Sequence, residues 1–301
     1  MVGHCNGLPI EAVNFHVWQP CNMRCRFCFA GFKDIRTILP EGHLTRQEAL
    51  IVVTLLADAG FQKITFAGGE PLLCPWLPDL VRTAKTEGMT TSIVTNASLL
   101  TDEILLQLRP HLDWLALSID SLNQRTLETI GRTTAGRALP ADRYIDRCHQ
   151  IVAAGIRLKV NTVVTRANWL EDLSEFIVLV RPLRWKIMQA LPIHDQNSGA
   201  IDALLVTPAQ FYSFIDRHRH VGAHGVTLVP ESNDDMTGSY AMIDPAGRFY
   251  DNVNGTYTYS GPILVLGVHR AIAEVRINAQ KFLARGGRYD WNPRPDLAVT
   301  T

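Results

Sequence analysis

The chain has 301 residues, 47% hydrophobic and 8% aromatic, with equal numbers of acidic and basic groups. Such a composition suits a globular protein with a sizeable core, either one large α/β domain or two smaller ones. Zero net charge argues against a broad nucleic-acid-binding face. No run of roughly 18 residues is apolar enough to cross a membrane, and the N-terminus lacks a charged-then-apolar leader pattern. The expectation is a cytoplasmic monomer with no direct nucleic-acid contact and no membrane contact.

Strand-like and helix-like runs alternate from residue 11 to about residue 191, with strands read at 11–18, 63–69, 90–97, 113–120, 157–164 and 184–191. The segment 45–60 reads as a helix that Thr45 caps and Gly60 ends. Strand and helix alternating at this spacing imply right-handed βαβ units and a parallel sheet. With period two, one face of those strands carries Val13, Phe15, Ile64, Phe66, Leu117, Val160 and Ile187. The other carries Asn14, His16, Lys63, Thr65, Ser118, Asp120, Lys159, Asn161, Arg184 and Lys186. A parallel sheet buried between helices is apolar on both faces. One polar face therefore implies a sheet curled around a wet interior: a partial (β/α)6 TIM-like barrel. The reading is a single domain over 1–301, with a barrel core over 11–195 and a C-terminal extension over 196–301 capping the active site. In that extension 207–222 and 269–283 read as helices, and 239–252 as a hairpin turning at Asp244 to Gly247.

Three of the six cysteines, Cys21, Cys25 and Cys28, fall within eight residues just after the first strand. In a cytoplasmic protein such a group indicates a metal or redox role rather than disulfides. Three thiolates leave tetrahedral zinc needing a distant fourth ligand; an iron–sulfur cluster with one unligated iron is the sharper alternative. The second strand ends in AGGEP (67–71), either an ordinary strand-to-helix turn with Pro71 opening the helix or a backbone that admits a cofactor closely. Asn96, Ser118 and Arg132 lie where they either hold a cofactor or cap local structure.

Arginine outnumbers lysine 23 to 6, which genome composition alone can produce. Three of those few lysines, Lys63, Lys159 and Lys186, nevertheless sit in strands, where lysine is unusual. With Arg184 they put four cations on the inward face. Lys63 and Arg184, near strand starts, can snorkel to solvent; all four together call for a polyanionic ligand. A nucleoside triphosphate meets that need without a P-loop, since no GxxxxGK[ST] is present.

The C-x3-C-x2-C spacing with Phe27 inside it, together with the Gly-Gly-Glu-Pro turn, resembles the radical S-adenosylmethionine (SAM) superfamily. The stretches VNFHVWQPCNMRCRFCF, QKITFAGGEP, SIVTNASLL, LKVNTVV, RPLRWKIMQ, LVPESNDDM and FLARGGRYDW resemble, in order, those of viperin-like radical SAM enzymes. This resemblance covers nearly the whole chain and suggests a prokaryotic-type member. It implies a [4Fe–4S] cluster on Cys21, Cys25 and Cys28, with S-adenosylmethionine held near Phe27, Gly68, Gly69, Glu70, Asn96, Ser118 and Arg132. Glu70 would pair with the methionine ammonium. Lys63, Lys159, Arg184 and Lys186 would grip a triphosphate beside Asn14 and Asn161, and Tyr289 would relay a hydrogen atom to a product radical.

The activity so implied converts a nucleoside triphosphate to its 3′-deoxy-3′,4′-didehydro form. That product is a chain terminator for antiviral or antiphage defence, and an electron donor such as flavodoxin would supply electrons. The sequence departs from the family at Thr65 and Ala67, where asparagine and serine are usual, which leaves base choice open among CTP, UTP and GTP. It also lacks the amphipathic N-terminal helix and the terminal tryptophan of animal forms. A GTP cyclase-like radical enzyme is the alternative; it would need a second cysteine triplet, which the isolated Cys74 and Cys148 do not supply. An electron-transfer or zinc-binding scaffold would leave the polar lining without a purpose. In the tail, Gly286 and Gly287 are expected to fold Tyr289 back over the barrel mouth.

Overall fold

A computed structural model describes residues 7–291; Cys5 and the terminal LAVTT stretch lie outside the described residues. The alternating segments form β1 (Ala12–Trp18), β2 (Lys63–Gly68), β3 (Thr90–Thr95), β4 (Trp114–Ser118), β5 (Arg157–Val164) and β6 (Arg184–Gln189). All pair in parallel in chain order. The apolar set of each strand is buried outward against helices, as with Phe15, Phe66, Leu117, Val160 and Ile187, none more than 1% exposed. Each such side chain contributes about 1.5–3 kcal/mol by leaving water. The helix Arg46–Asp58 begins at a capping box: Thr45 accepts from the Glu48 backbone N–H while the Glu48 carboxylate accepts from that of Thr45. It buries Val52, Val53 and Leu56 on the barrel wall.

The C-terminal residues extend this barrel at both edges. β7 (Thr227–Glu231) pairs in parallel with β6, and β8 (Ala241–Ile243) pairs in parallel with β1. β9 (Arg248–Asp251) and β10 (Thr258–Pro262) continue from β8 as antiparallel strands. The sheet order is β10-β9-β8-β1-β2-β3-β4-β5-β6-β7, open between its ends, a partial TIM-like barrel. The sequence reading passes over β7 because Pro230 interrupts it; as an edge strand it has no further ladder that needs the missing N–H.

The 239–252 hairpin turns where expected, with Gly247 N–H donating to Asp244 O at 3.0 Å. The helix expected over 207–222 is α-helical from Pro208 to His218 and then tightens into a 3₁₀ turn. The expected helix over 269–283 is broken into Val268–Ala273 and Ala279–Ala284. Between them Arg276 N–H donates to Asp251 and Asn278 N–H to Gly238 O, so the backbone donors go to the hairpin rather than to a helical ladder. Among the described residues no helix is long and apolar enough to cross a membrane.

Candidate active site

The polar faces of the strands converge on one cavity of about 310 Å³. At the end where the strands finish lie Cys21, Cys25 and Cys28; where they start lie Lys63 and Arg184. Six residues of β2 and its turn separate the two ends, roughly 20 Å at strand rise.

The cysteine loop is clamped by backbone from two sides. Gly69 N–H donates to Trp18 O and Glu70 N–H to Pro20 O. A Cβ on Gly69 would meet Gln19 O at 2.3 Å and Pro20 O at 2.4 Å. The Gly-Gly turn thus makes room for the chain's own segment 18–20, which aims the cysteines. On the far side Arg26 N–H donates to Ile130 O at 2.9 Å, and Gly131, at φ +77, passes within van der Waals reach of Arg24 O. Asn197 donates to Phe27 O, and the Tyr257 hydroxyl to Phe29 O.

Burial raises all three thiols, Cys25 to about 12. The Arg132 guanidinium, buried and ion-paired with Asp120, opposes that rise at each of them and faces the Phe27 ring at 5.6 Å. Cys28 is accessible from the cavity, Met23 N–H lies 3.4 Å from Cys21 Sγ, and Asn96 Nδ2 approaches that sulfur at 4.0 Å. Cys74 and Cys148 are buried away from the cavity lining. Among the described residues no three His, Cys, Asp or Glu side chains are arranged about a single metal ion. A [4Fe–4S] cluster makes a different demand, because each of its cysteines binds a separate iron and the sulfurs stand apart. Three cavity-facing thiols with a nearby cation and, among the described residues, no fourth protein donor fit such a cluster with one iron left for another ligand.

Glu70 is 1% exposed and accepts from Leu72 N–H, Asn96 N–H and the Thr95 hydroxyl. Burial pushes its carboxyl up and those bonds oppose the shift. It anchors the turn as well as lining the cavity. Ser118, Asn14 and Asn161 line the wall between the two ends. Asp120 does not belong to that lining, being turned to Arg132 and the Val163 N–H. His16 reaches the wall but packs against Phe29, Phe32 and Tyr250, and burial lowers it to about 4, so it stays neutral.

At the strand-start end the cations divide into two groups. Lys63 and Lys159 both donate to the Tyr289 hydroxyl, and the Arg184 guanidinium stacks 3.8 Å from the centre of that ring. Among the described residues no carboxylate pairs with either lysine; burial, aided by the neighbouring cations, lowers Lys63 to about 7 and Lys159 well below its ordinary value. Lys186 instead sits 2.9 Å from Glu231, which also binds Arg285 and the Tyr240 hydroxyl. Burial acts against the Lys186 charge, but Glu231 and Tyr240 hold it above its ordinary value.

The tail lies at this end and not over the mouth. Arg184 donates to Gly286 O, Trp114 at the start of β4 donates to Trp291 O, and Arg288 reaches Glu11. The strand starts hold it because they offer the unpaired donors and the aromatic face of Trp114. Sequence reasoning missed Glu231, Arg285 and Tyr240. Alternation in TLVPE, with Val229 and Glu231 inward, was the available signal for the first of them.

Residues 17–180 match the model of the Radical SAM superfamily. An "S-adenosylmethionine-dependent nucleotide dehydratase" of Flammeovirga pacifica is 49% identical over 94% of this chain and 96% of that protein. A namesake from Lacinutrix mariniflava is 52% identical over 94% of this chain, which spans only 59% of that longer relative. The Danio rerio "S-adenosylmethionine-dependent nucleotide dehydratase RSAD2" is 34% identical over 94% of this chain and 78% of its own length. The structure of Streptococcus suis SuiB bound to S-adenosylmethionine superposes with a TM-score of 0.62 at 15% identity, covering 79% of this chain and 59% of SuiB; this shows the shared fold. Radical SAM proteins use a [4Fe–4S] cluster and S-adenosylmethionine, and the donor set at the mouth fits that pair. The chain belongs to the radical SAM superfamily and, within it, to the S-adenosylmethionine-dependent nucleotide dehydratases.

Proposed function

We propose that the chain dehydrates a nucleoside triphosphate (CTP, UTP or GTP) to its 3′-deoxy-3′,4′-didehydro analogue, a chain terminator for antiviral or antiphage defence. The observation that carries this reading is one cavity with cysteines at one end and, among the described residues, five basic side chains against a single carboxylate at the other. Family membership supplies the reaction class, and the named relatives supply the nucleotide. The cluster and S-adenosylmethionine supply, when bound, a carbon-centred radical able to take the ribose C4′ hydrogen. The substrate then loses its 3′-hydroxyl as water and takes up one electron and one proton.

In this reading Cys21, Cys25 and Cys28 hold the cluster, with Arg132 easing ionisation of their thiols. Asn96, Ser118 and the Gly68–Glu70 turn border S-adenosylmethionine, while Phe27 packs beside Arg132. Lys63, Lys159, Arg184 and Lys186 bind the triphosphate, and Asn14 and Asn161 flank the ribose between the ends. Holding reactants in one orientation is the chain's main contribution to rate. Tyr289, between two lysines, is the candidate hydrogen-atom relay. The protein would work as a cytoplasmic monomer, fed by a one-electron donor such as flavodoxin.

The test is mass spectrometry of the anaerobically reconstituted protein incubated with S-adenosylmethionine, reductant and an equal mixture of nucleoside triphosphates. One nucleotide lighter by one water should appear with 5′-deoxyadenosine, and neither should form in a variant combining Cys21→Ala, Cys25→Ala and Cys28→Ala. Stoichiometric zinc without sulfide in the wild type would refute the reading.

A further inference from the structure

The cysteine site needs electrons from outside the chain, and in the function proposed above S-adenosylmethionine and nucleotide take its cavity side. That leaves the outer face of the cysteine loop. The wall there is thin. A Cβ on Gly131 would meet Arg24 O at 2.3 Å and the Cα of Cys25 at 3.4 Å, so one backbone crossing covers Cys25 on that side. Arg24 and Arg26 flank Cys25 in the chain, the first exposed and the second half-buried. A partner touching both side chains stands beside a cluster ligand.

The chain as a whole is neutral, but this face is not. Residues 21–33 carry Arg24, Arg26 and Lys33 and no acid, and residues 122–140 carry Arg125, Arg132 and Arg137 against Glu128 alone. Of these only Arg132 is buried, on Asp120. The two segments form one surface: Arg26 N–H donates to Ile130 O, its guanidinium to Thr129 O at 3.3 Å, and the Thr129 hydroxyl to Arg125 O. Arg137 closes the turn with Thr134 ahead of the helix Ala141–Ala153, which runs back to the start of β5, so it lies at the same end of the barrel. Arg24 donates to the Cys21 and Met23 carbonyls. Among the described residues none of Arg24, Arg26, Arg125 and Arg137 has a carboxylate partner, whereas the exposed Arg46, Arg82 and Arg219 each have one. Guanidinium groups held on carbonyls keep their charge open to a partner, and these four gather over the cluster ligands.

We propose that this face is the docking surface for an acidic electron-carrier protein, received by Arg24, Arg26, Arg125 and Arg137 through charge complementarity. This rests on reading the cysteines as a cluster site. Electron-transfer encounters are small and transient, so a few charges suffice, and they act by raising the association rate more than the residence time. In the step itself a carrier such as flavodoxin hydroquinone gives one electron to the oxidised cluster and is left as the semiquinone; no bond to the enzyme forms or breaks.

Stopped-flow reduction of the reconstituted holoenzyme by flavodoxin hydroquinone, without nucleotide, tests it. Bleaching of the cluster absorbance is the readout, and dithionite serves as a small reductant that needs no docking. Combining Arg26→Glu with Arg125→Glu should slow reduction by flavodoxin about tenfold or more at about 20 mM salt, and leave reduction by dithionite within about threefold. Combining Arg109→Glu with Arg181→Glu makes the same change in net charge at the other end, where the helices Asp102–Leu108 and Ser174–Val180 lead into β4 and β6. Both rates should then stay within about twofold of the wild type. Raising salt to about 200 mM should slow the wild type and bring the Arg26, Arg125 variant closer to it, because exposed charges are then screened.

Equal flavodoxin rates in the wild type and the Arg26, Arg125 variant overturn the proposal, and so does an equal loss in the Arg109, Arg181 control. A wild type that dithionite reduces and flavodoxin does not overturns it as well. If the change at Arg26 prevents cluster loading, Arg125→Glu combined with Arg137→Glu, both outside the cysteine loop, decides by the same comparison. A wild type with no reducible cluster would instead bring down the cluster reading on which the proposal rests.

Discussion

The two ends of the cavity are built by different physics. At the mouth, backbone holds the cysteine loop: N–H groups of Gly69, Glu70 and Arg26, and close passages at Gly69 and Gly131. At the floor, side chains from several elements hold one another by charge: Lys63, Lys159, Lys186, Glu231 and Arg285, with the Tyr289 phenol between two of them. Backbone clamps depend on sterics and hardly respond to salt or pH, whereas a cation wall with one carboxylate responds to both. The mouth should therefore fail abruptly under small steric changes, and the floor should grade with charge.

The sharpest way to break that contrast is Gly69→Ala. Its new Cβ would overlap two carbonyl oxygens that cannot swing aside, because both belong to the segment that precedes Cys21. We expect a loss of roughly 2–4 kcal/mol, with iron and sulfide per chain reduced several-fold after reconstitution. Gly88→Ala is the control. Gly88 has a positive φ of +85, which Gly69 lacks, but a Cβ there meets nothing within 4 Å, so only the backbone cost of about 1–2 kcal/mol applies and cluster loading should be normal. Full loading in Gly69→Ala would show that the turn does not seat the loop.

This contrast also explains what was legible in the sequence. The mouth is encoded locally, as three cysteines in eight residues and two adjacent glycines, so a linear reading finds it. The wall at Asn14, Lys63, Lys159, Asn161, Arg184 and Lys186 was legible because alternation in long strands reports a shared face. Glu231 escaped because β7 is five residues long with a proline inside. Arg285 and the place of Tyr289 escaped because no period links a tail to the strands it meets. A tail with two glycines is equally compatible with the mouth and the floor, and only the donors on Lys63, Lys159, Arg184 and Trp114 select the floor.

Next in size are the charge effects at the floor. Lys159→Ala removes a charge-assisted contact worth about 1.5–3 kcal/mol, so nucleotide affinity should fall roughly ten- to a hundredfold. Cleavage of S-adenosylmethionine without nucleotide, which depends on the other end, should stay near the wild-type rate; a parallel loss of both would mean that the ends are not separable.

A smaller and graded effect comes from pH. Lys63 falls from 10.5 to about 7, chiefly by burial, with Lys186, Arg184 and Arg285 adding to the shift and the bond with Lys159 opposing it. Between those values the unfolded chain carries the proton and the ligand-free fold does not, so ligand-free stability should rise with pH across that window. A bound polyanion favours the charged form, so binding there takes up a proton and affinity should weaken as pH rises, by at most about tenfold per unit. Calorimetry at pH 7 and pH 8.5 in buffers of different ionisation heat reads the proton directly. No uptake at the higher pH would mean that Lys63 already holds its charge.

The smallest expected change in binding is at Tyr289, and it decides what the phenol is for. Its hydroxyl accepts from both Lys63 and Lys159, the Arg184 plane covers its ring, and Trp114 meets it edge-on. Burial raises the phenol above its ordinary value against the pull of Arg184 and Arg285, so it remains protonated at neutral pH. Tyr289→Phe keeps the ring packing and removes only the shared acceptor. Nucleotide affinity should therefore fall by about three- to tenfold, the size of one net hydrogen bond. A phenol can also give a hydrogen atom to a carbon radical, which phenylalanine cannot, and the external one-electron donor would then reduce the phenoxyl and allow its reprotonation. If Tyr289 acts so, the ratio of didehydro nucleotide to 5′-deoxyadenosine at saturating nucleotide drops well below that of the wild type, while affinity changes only by the modest factor above. We expect that drop. An unchanged ratio with weakened affinity would leave Tyr289 as the spacer that keeps two lysines from repelling each other.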